Sequence, residues 1–292
     1  ILTDARPHIG SNRLPRVVSG LREALVNVGV EFRFGAKVVD LVIDEKAKSA
    51  KGVRLENGDE LLADYVVLAT GHSAADIYEM LERRGIALEA KSFALGVRIE
   101  HPQALINKIQ YGAAAEHPKL PAAPYRVAET VDDRGVFSFC MCPGGFIVPA
   151  STEPGGLVVN GMSLSRRSSH YANSGLVVSV EPADVEKAGF KGVMGGIALQ
   201  RKLEALAFEA GGGKLVAPAT RVADFVAGKG SSTLPSTSYL PGLFATDLAP
   251  VLDGVGLSIS KRIAGALRAF DKRMRGYLTS EAILVGVESR TS

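Results

Sequence analysis

The segment Asp64–Ser73 constrains the fold of this chain more than any other. An acidic residue precedes the apolar run Tyr65–Leu68, and Ala69-Thr70-Gly71 then leads into a predicted helix. This pattern predicts a buried strand that ends in a tight turn, as in α/β nucleotide-binding domains. Glycine at that turn lets the backbone approach a ligand with which a Cβ would collide. An ordinary strand-to-helix connection accounts for the same residues equally well.

The residues on either side of this segment complete an α/β pattern. Residues 52–60 contain Asn57-Gly58, a strong hairpin signal because both residue types tolerate a positive φ. A helix is predicted from about Ala74 to Arg84, with Gly85 at its end.

Two further elements precede the hairpin. The apolar residues of Leu14–Val28 recur at intervals of three and four, which predicts an amphipathic helix closed by Gly29. The alternation in Glu31–Ile43 predicts a strand. Its candidate inward residues are Phe32, Phe34, Val38 and Leu41.

Composition argues against several classes of protein. The chain has 292 residues, a formal net charge of +3 and two cysteines. No apolar run approaches the roughly 20 residues of a membrane span, and no basic cluster indicates that the chain binds nucleic acid. Two cysteines argue against a disulfide scaffold and fit a reducing cytoplasm, where we expect the protein to be.

Beyond residue 86 the chain changes from short strands to helices. A helix is predicted from His101-Pro102 to about Gln110, with proline at its start, where a missing N–H costs nothing. The strand candidates are Ser92–Ile99, Val136–Cys140, Gly145–Pro149 and Leu157–Asn160. The later segments are predicted helices over Val193–Glu209 and Gly256–Phe270, and a loop over Gly228–Pro241.

The apolar run Ala282–Val287 predicts a strand close to the last residue. No turn follows it, so we expect its partner strands to lie outside this chain. The chain also opens at Ile1 as if within a domain. We therefore expect it to be a segment of a longer protein.

Cys140 and Cys142 are the two cysteines, and they precede a Pro-Gly-Gly turn. A structural zinc site would need two further ligands, which no second cysteine pair or histidine pair supplies. We expect no metal. Packed thiols beside the turn are the first interpretation, a thiol that lines a site is the second, and redox or metal chemistry is the third.

Two polar segments could contact a ligand. Arg6–Ser11 precedes the first helix and could bind an anionic group there, although Ser11 or Asn12 could equally cap that helix. His72-Ser73 follows the glycine turn. It fits a helix cap or a cofactor contact better than a nucleophilic pair, since nothing here matches G-x-S-x-G.

Together these residues resemble a bacterial family of uncharacterised FAD-dependent dehydrogenases, related to the HI0933-like flavoproteins of glutathione-reductase-type fold. The resemblance covers nearly the whole chain. It rests on the segments 6–14, 64–81, 93–112, 139–153, 158–167, 171–180 and 285–292.

The resemblance implies an α/β fold in which part of a glutathione-reductase-type FAD-binding domain holds an inserted domain of mixed β-sheet and helices. Residues 1–90 would belong to the FAD-binding domain and residues 91–284 to the inserted substrate domain. Residues 285–292 would begin the segment in which the chain returns to the FAD-binding domain. The GxGxxG turn that binds the FAD pyrophosphate in the family is absent from this sequence. We therefore expect this chain alone not to hold FAD tightly.

The resemblance also implies a set of cofactor-binding residues. Val38 would lie on the strand whose backbone meets adenine, and Ala75 stands where the family usually carries arginine. The residues implied at the cofactor are Pro7, His8, Ile9, Gly10, Val38, Ala69, Thr70, Gly71 and His72.

Leu240–Asp247 resembles the strand that closes the flavin site in glutathione-reductase-like proteins. The glycine expected between Thr246 and Asp247 is missing. We therefore predict a loop that enters a helix.

The implied function is that of an FAD-dependent oxidoreductase of unknown small-molecule substrate, with NAD(P)H as a candidate reductant. Arg98, Cys140, Cys142 and Asn160 are the candidate pocket residues, and the sequence identifies no catalytic residue. The alternative is a non-catalytic module that recognises RNA or a protein partner. The modest basic excess and the lack of an identifiable acid–base pair would fit that alternative.

Overall fold

A computed structural model describes residues 8–291 of the chain, and for residues 290 and 291 the backbone only. The described residues divide into two compact units, with boundaries after Pro15 and after Ala90. The small unit is Arg16–Ala90. The large unit consists of the described residues on either side of it.

The small unit contains a three-stranded antiparallel sheet and two helices. Leu41, Ile77 and Met80 form its core, and the strand order is β1-β2-β3. Its elements are α1 (Leu14–Asn27, whose first two residues belong to the large unit), β1 (Val38–Asp44), β2 (Ser49–Leu55), β3 (Glu60–Leu62) and α2 (Ala75–Arg83).

Three elements of the small unit confirm sequence predictions. Helix α1 is followed by Gly29 at φ +93°, and α2 by Gly85 at φ +70°. The hairpin of β2 and β3 turns at Asn57-Gly58, with Gly58 at φ +93°. Glycine adopts this left-handed region at little cost, so the chain stops or reverses at these positions.

The strand predicted over Glu31–Ile43 is shorter than expected. β1 pairs with β2 only from Val38, which is half-buried. Leu41 is buried as predicted, but Phe32 and Phe34 are exposed, with ring centroids 6.3 Å apart. Among the described residues no strand pairs with residues 31–37. The alternating apolar side chains of this segment therefore belong to no sheet and are not buried in one.

The segment Asp64–Gly71 forms neither a strand nor a helix. Tyr65 is 90% exposed and Val67 is 85% exposed. Within the described part of the chain, no other backbone group bonds to the backbone of residues 65–73. The predicted buried strand is therefore wrong for this structure, because a strand needs a neighbour for its N–H and C=O groups.

The large unit is a seven-stranded sheet flanked by helices and a separate hairpin. The strand order is β11-β10-β12-β4-β9-β6-β5, in which only β10 and β11 are parallel. The elements are β4 (Phe93–Pro102), α3 (Gln103–Tyr111), β5 (Ala128–Val131), β6 (Arg134–Cys142), β7 (Gly145–Pro149), β8 (Val159–Ser163), β9 (Tyr171–Val180), α4 (Pro182–Lys187), α5 (Gly195–Ala210), β10 (Ala217–Arg221), α6 (Val222–Val226), β11 (Leu243–Ala245), α7 (Ala249–Asp253), α8 (Ile259–Arg273) and β12 (Ile283–Thr291).

The two faces of β4 have different surroundings. Side chains alternate along a strand, so Leu95, Val97 and Ile99 share one face, where they join the core formed with helices α5 and α8. Arg98 and Glu100 point to the opposite face. The antiparallel hairpin of β7 and β8 covers that face at Arg98. This second face therefore holds buried polar residues.

Most elements predicted beyond residue 86 are confirmed within a few residues. α3 begins directly after Pro102, which occupies its N-cap. The strands β4, β6, β7 and β8 fall on the four strand candidates, and α5 and α8 fall on the two helix predictions. Residues 228–241 form the predicted loop.

Two predictions for the C-terminal third were wrong. Leu243–Ala245 is the strand β11, parallel to β10, rather than a loop, although α7 follows as predicted. The strand β12 pairs with β10 on one side and with β4 on the other. Its partners therefore lie inside this chain and come from residues distant in sequence.

The predicted α/β class is confirmed at the level of a mixed α/β structure with a multi-strand mixed sheet. The domain boundaries predicted at residues 90 and 284 stay predictions, and β12 runs through the second one. Among the described residues, no helix is both long and apolar enough to cross a bilayer.

His101, near the end of β4, is an acid-sensitive part of the large unit. Its ring is fully buried, 4.4 Å from the ring of Tyr277 between centroids. His101 Nε2 donates to the carbonyl oxygen of Tyr277 at 2.8 Å. Burial lowers the pKa of His101 from 6.5 to about 4. The folded state therefore keeps this ring neutral while the unfolded state takes up a proton.

We expect the free energy of unfolding to fall by roughly 3 kcal/mol through His101 as the pH decreases from about 6.5 to about 4. Above that range both states are neutral and the contribution is complete. His101→Gln keeps a donor for the Tyr277 carbonyl and should remove most of the fall. His117→Gln, at an exposed histidine, should leave it intact. Denaturant unfolding across this pH range measures both, and an unchanged profile in His101→Gln would contradict the assignment.

Candidate functional site

Arg98 is the centre of a buried polar cluster on the second face of β4. Its side chain is fully buried and forms an ion pair with Glu288 on β12, with 2.8 Å between Nη1 and Oε2. Nε donates to Asn173 Oδ1 on β9 at 3.0 Å, and Nη1 donates to Asn160 Oδ1 on β8 at 3.2 Å. One guanidinium thereby joins four strands of the large unit.

The same guanidinium also fixes the cysteine segment of β6. Arg98 Nη2 donates to the carbonyl oxygen of Cys140 at 2.6 Å and lies 3.7 Å from Cys142 Sγ. Cys140 has φ +43°, an unusual value for a residue with a Cβ, at an irregularity in the pairing of β6 with β9. Both cysteines are free thiols, and Cys140 is exposed. The four pocket residues predicted from the sequence therefore lie in one cluster.

Glycine at position 161 makes room for this cluster. A Cβ on Gly161 would lie 1.9 Å from Arg98 Nη2 and 2.4 Å from Asn173 Oδ1. The guanidinium is hydrogen-bonded to partners on four strands, so it could not move away from such a Cβ without breaking some of these bonds. The hairpin of β7 and β8 can approach β4 because this residue has no side chain.

Burial and the Arg98 guanidinium shift the pKa values of Glu288 and Cys142, the two acidic groups of the cluster, in opposite directions. Burial raises the pKa of the Glu288 carboxyl, and Arg98 offsets only part of the rise. Burial likewise raises the pKa of the Cys142 thiol, again against the effect of Arg98. A thiol with a raised pKa stays protonated near neutral pH, so Cys142 is poorly suited to act as a nucleophile.

A cleft of about 270 Å³ opens beside the cluster. It is lined by Tyr125, Arg126, Ser138, Cys140, Met141 and Arg167, together with two prolines. Cys140 belongs to both features, because its carbonyl group accepts from Arg98 and its residue lines the cleft. The buried ion pair thus sets the backbone position of one wall.

The N-terminal loop packs against the loop that follows β8. His8 Nε2 donates to the carbonyl oxygen of Leu164 at 3.0 Å, and Asn12 Oδ1 accepts from the Ser165 amide at 2.8 Å. Gly10 has φ +90°, and a Cβ there would lie 2.2 Å from the Ser165 nitrogen. These contacts hold the loop that carries Arg167 to the cleft. Pro7 lies outside the described residues, and Ile9 is exposed.

The other residues implied at a cofactor belong to the small unit. Val38 begins β1. Ala69, Thr70, Gly71 and His72 are exposed in the irregular segment that lacks backbone partners among the described residues. Gly71 has φ +78°, and a Cβ on it would meet no atom within 4 Å. The structure thus groups the implied cofactor residues by unit, and their roles stay predictions.

Sequence reasoning missed several members of the cluster and its cleft. Glu288 and Asn173 lie within segments that carry the family resemblance, but their register with Arg98 depends on the order β12-β4-β9. Arg126 and Arg167 were assigned no role, although Arg167 ends the segment 158–167 that carries the family resemblance. The available signal was the pair Arg166-Arg167 in the loop several residues after the strand predicted over Leu157–Asn160, since loops often carry binding residues.

Two family models match the chain. The model described as FAD-dependent protein, C-terminal domain-like covers residues 92–291, and the model described as FAD dependent oxidoreductase covers residues 11–166. The first match spans more than half of the chain and includes the whole Arg98 cluster. The chain belongs to this family of FAD-dependent proteins.

A relative from Clostridium beijerinckii, described as an uncharacterized protein, is 42% identical over 296 residues. That alignment covers 99% of this chain and 53% of the relative, so the chain spans about half the length of the curated relative that it matches. Family membership confirms the resemblance to a bacterial FAD-dependent family, and the mixed sheet is compatible with it. The relation to the HI0933-like group and the inserted-domain arrangement stay predictions.

Proposed function

We propose that the protein is an FAD-dependent oxidoreductase, which transfers a hydride or electrons through the flavin. The observation that carries this proposal is the pair of FAD-dependent family models, which between them match residues 11–291. Because the chain spans about half of its relative, the activity proposed is that of the full-length protein. Bound FAD would supply the redox chemistry, and the chain would bind, orient and exclude water.

In the small unit, Val38 and the segment from Ala69 to His72 are the residues we propose for the cofactor. Among the described residues no backbone group pairs with the N–H and C=O groups of residues 69–72, which leaves these groups available to a polar ligand. The open space at Gly71 fits a ligand that approaches the backbone closely. These features fit FAD, although the glycine-rich pyrophosphate turn is not in this sequence.

In the large unit, Arg98, Cys140, Cys142 and Asn160 are the residues we propose for a pocket wall. Arg98 is a positioning residue in this proposal, because its guanidinium binds the Cys140 carbonyl and the Asn160 side chain without exposure to solvent. The Arg98–Glu288 ion pair keeps the wall rigid and dry. His8 to Gly10 support the adjoining loop.

The proposal predicts that the full-length protein contains flavin and that a small-molecule reductant bleaches it. We expect anaerobic addition of NADH, NADPH or a small organic reductant to remove the flavin absorbance between about 350 and 500 nm, with return of the colour in air. NAD(P)H is one reductant to be tested and has no further support. A protein that purifies without flavin but with RNA or a protein partner would favour the non-catalytic alternative.

A further inference from the structure

The cleft beside the Arg98 cluster carries unbalanced positive charge. None of its lining residues is acidic, whereas Arg126 and Arg167 are both among them. Its volume of about 270 Å³ lies just below the usual range for pockets that hold drug-sized molecules. The cleft therefore suits a small molecule or the charged end of a larger one.

Neither arginine is neutralised within the described part of the chain. Among residues 8–289, no ion pair or side-chain hydrogen bond is found for Arg126 or Arg167. The Nε atom of Arg167 is buried and has no acceptor, which costs free energy unless a ligand supplies one. Guanidinium groups bind carboxylate and phosphate oxygens through parallel hydrogen bonds.

The loop that carries Arg167 is held on both sides. Asn12 Oδ1 accepts from the Ser165 amide at 2.8 Å, and the Ser169 amide donates to the carbonyl oxygen of Gly144 at 3.3 Å. A Cβ on Gly144 would lie 1.8 Å from the Arg167 carbonyl oxygen, so this approach requires glycine. A backbone already fixed in place loses less freedom when its side chain binds a ligand.

Most of the other lining residues of the cleft are apolar, and Ser138 and Cys140 are the polar ones. Pro124, Pro143, Met141 and Tyr125 line the cleft together with the two arginines. Tyr125 is buried, and burial raises its pKa to about 12, so its hydroxyl stays neutral. Apolar walls with two cations fit an organic anion better than a bare inorganic ion.

We propose that this cleft binds a small organic carboxylic acid, with its carboxylate on Arg126 and Arg167 and its apolar part against Met141 and the prolines. Only the role of this acid as the substrate rests on the proposed function. Binding itself requires no flavin chemistry.

Calorimetric titration of the full-length protein with the straight-chain carboxylates from acetate to hexanoate, and with their neutral amides, tests the proposal. We expect at least one carboxylate to bind, and its amide to bind at least tenfold more weakly. Arg126→Gln with Arg167→Gln should weaken the carboxylate at least tenfold. Arg166→Gln is the matched control, because this exposed neighbour does not line the cleft, and it should bind as the unchanged protein does.

Flavin absorbance of the same samples separates the two possible sources of the anion. If the double variant loses flavin but binds carboxylates as before, the arginines serve a cofactor phosphate and the proposal is overturned. It is equally overturned if no carboxylate binds, or if the amides bind as tightly. Carboxylate binding that depends on both arginines in a protein without flavin would support the cleft and remove the proposed oxidoreductase activity.

Discussion

Replacing Arg98 with methionine should lower the free energy of unfolding of the large unit by about 3–5 kcal/mol. The change leaves the Glu288 carboxyl buried without its cation, and it removes the donor of the buried Asn173 Oδ1. A buried acceptor that loses its donor adds to the cost. Denaturant unfolding followed by circular dichroism measures the effect. Arg166→Met, at an exposed residue, is the control and should stay within about 0.5 kcal/mol of the unchanged protein.

A second variant separates the ion pair from the packing of the side chain. Glu288→Met alone should also destabilise strongly, because it leaves the Arg98 guanidinium buried without a carboxylate. The double variant should recover much of the loss, since no charge is then buried unpaired. If the two single losses simply add, the ion pair does not couple the two strands as described.

The Arg98→Met loss should also depend on pH. Burial raises the pKa of Glu288 above 4.5 in the folded state, and without Arg98 it rises further. An acid whose pKa is higher in the folded state than in the unfolded state does not lower the free energy of unfolding at a pH below its unfolded pKa. Its destabilising effect grows as the pH rises above that value. The deficit should therefore be smaller at about pH 5 than at about pH 8. A deficit that does not change with pH would point to packing alone.

The helices of this chain were predictable because their signals are local. The three-and-four spacing of Leu14–Val28, with a glycine at its end, depends on no other part of the sequence. The same holds for the Asn57-Gly58 hairpin, whose two residue types set the turn. Such elements form the parts of the fold that the sequence predicted best.

Strand predictions failed where pairing depends on distant residues. The apolar run at Tyr65–Leu68 has the composition of a buried strand, yet no described strand lies beside it. Conversely, Leu243–Ala245 was predicted to be a loop because the glycine expected after Thr246 is missing, yet pairing with β10 makes it a strand. The hydrophobicity of a segment does not specify its neighbour.

The Arg98 cluster was predictable only in part, for the same reason. Arg98 and Asn160 were chosen as polar groups in predicted strands, and the structure places them 3.2 Å apart, between Nη1 and Oδ1. Glu288 comes from a strand 190 residues away and was assigned no role. The strand order β12-β4-β9 brings Glu288 next to Arg98, and this order cannot be predicted from any local sequence pattern.

In the small unit, Gly71→Val should remove nearly all flavin from the full-length protein. The expected loss has a steric reason, because a Cβ at Gly71 would meet no described atom of this chain within 4 Å. The space is therefore open to a ligand, and a valine would occupy it. Valine at φ +78° also strains the backbone, which alone costs of order 1–3 kcal/mol. A control must carry that strain without the ligand contact.

Gly58→Val supplies this control. Gly58 lies in the same unit at φ +93°, and a Cβ there would likewise meet nothing within 4 Å. Its place in the exposed hairpin turn puts it outside the residues proposed for the cofactor. Both variants should keep their secondary structure, as circular dichroism would show.

The most direct test of the account is the flavin content of these two variants beside the unchanged full-length protein, measured by absorbance on the samples used for circular dichroism. We expect flavin in the unchanged protein and in Gly58→Val, and at least a tenfold loss in Gly71→Val with its secondary structure kept. Equal losses in both variants would assign the effect to backbone strain. Full occupancy in Gly71→Val would contradict the placement of the cofactor at Ala69 to His72.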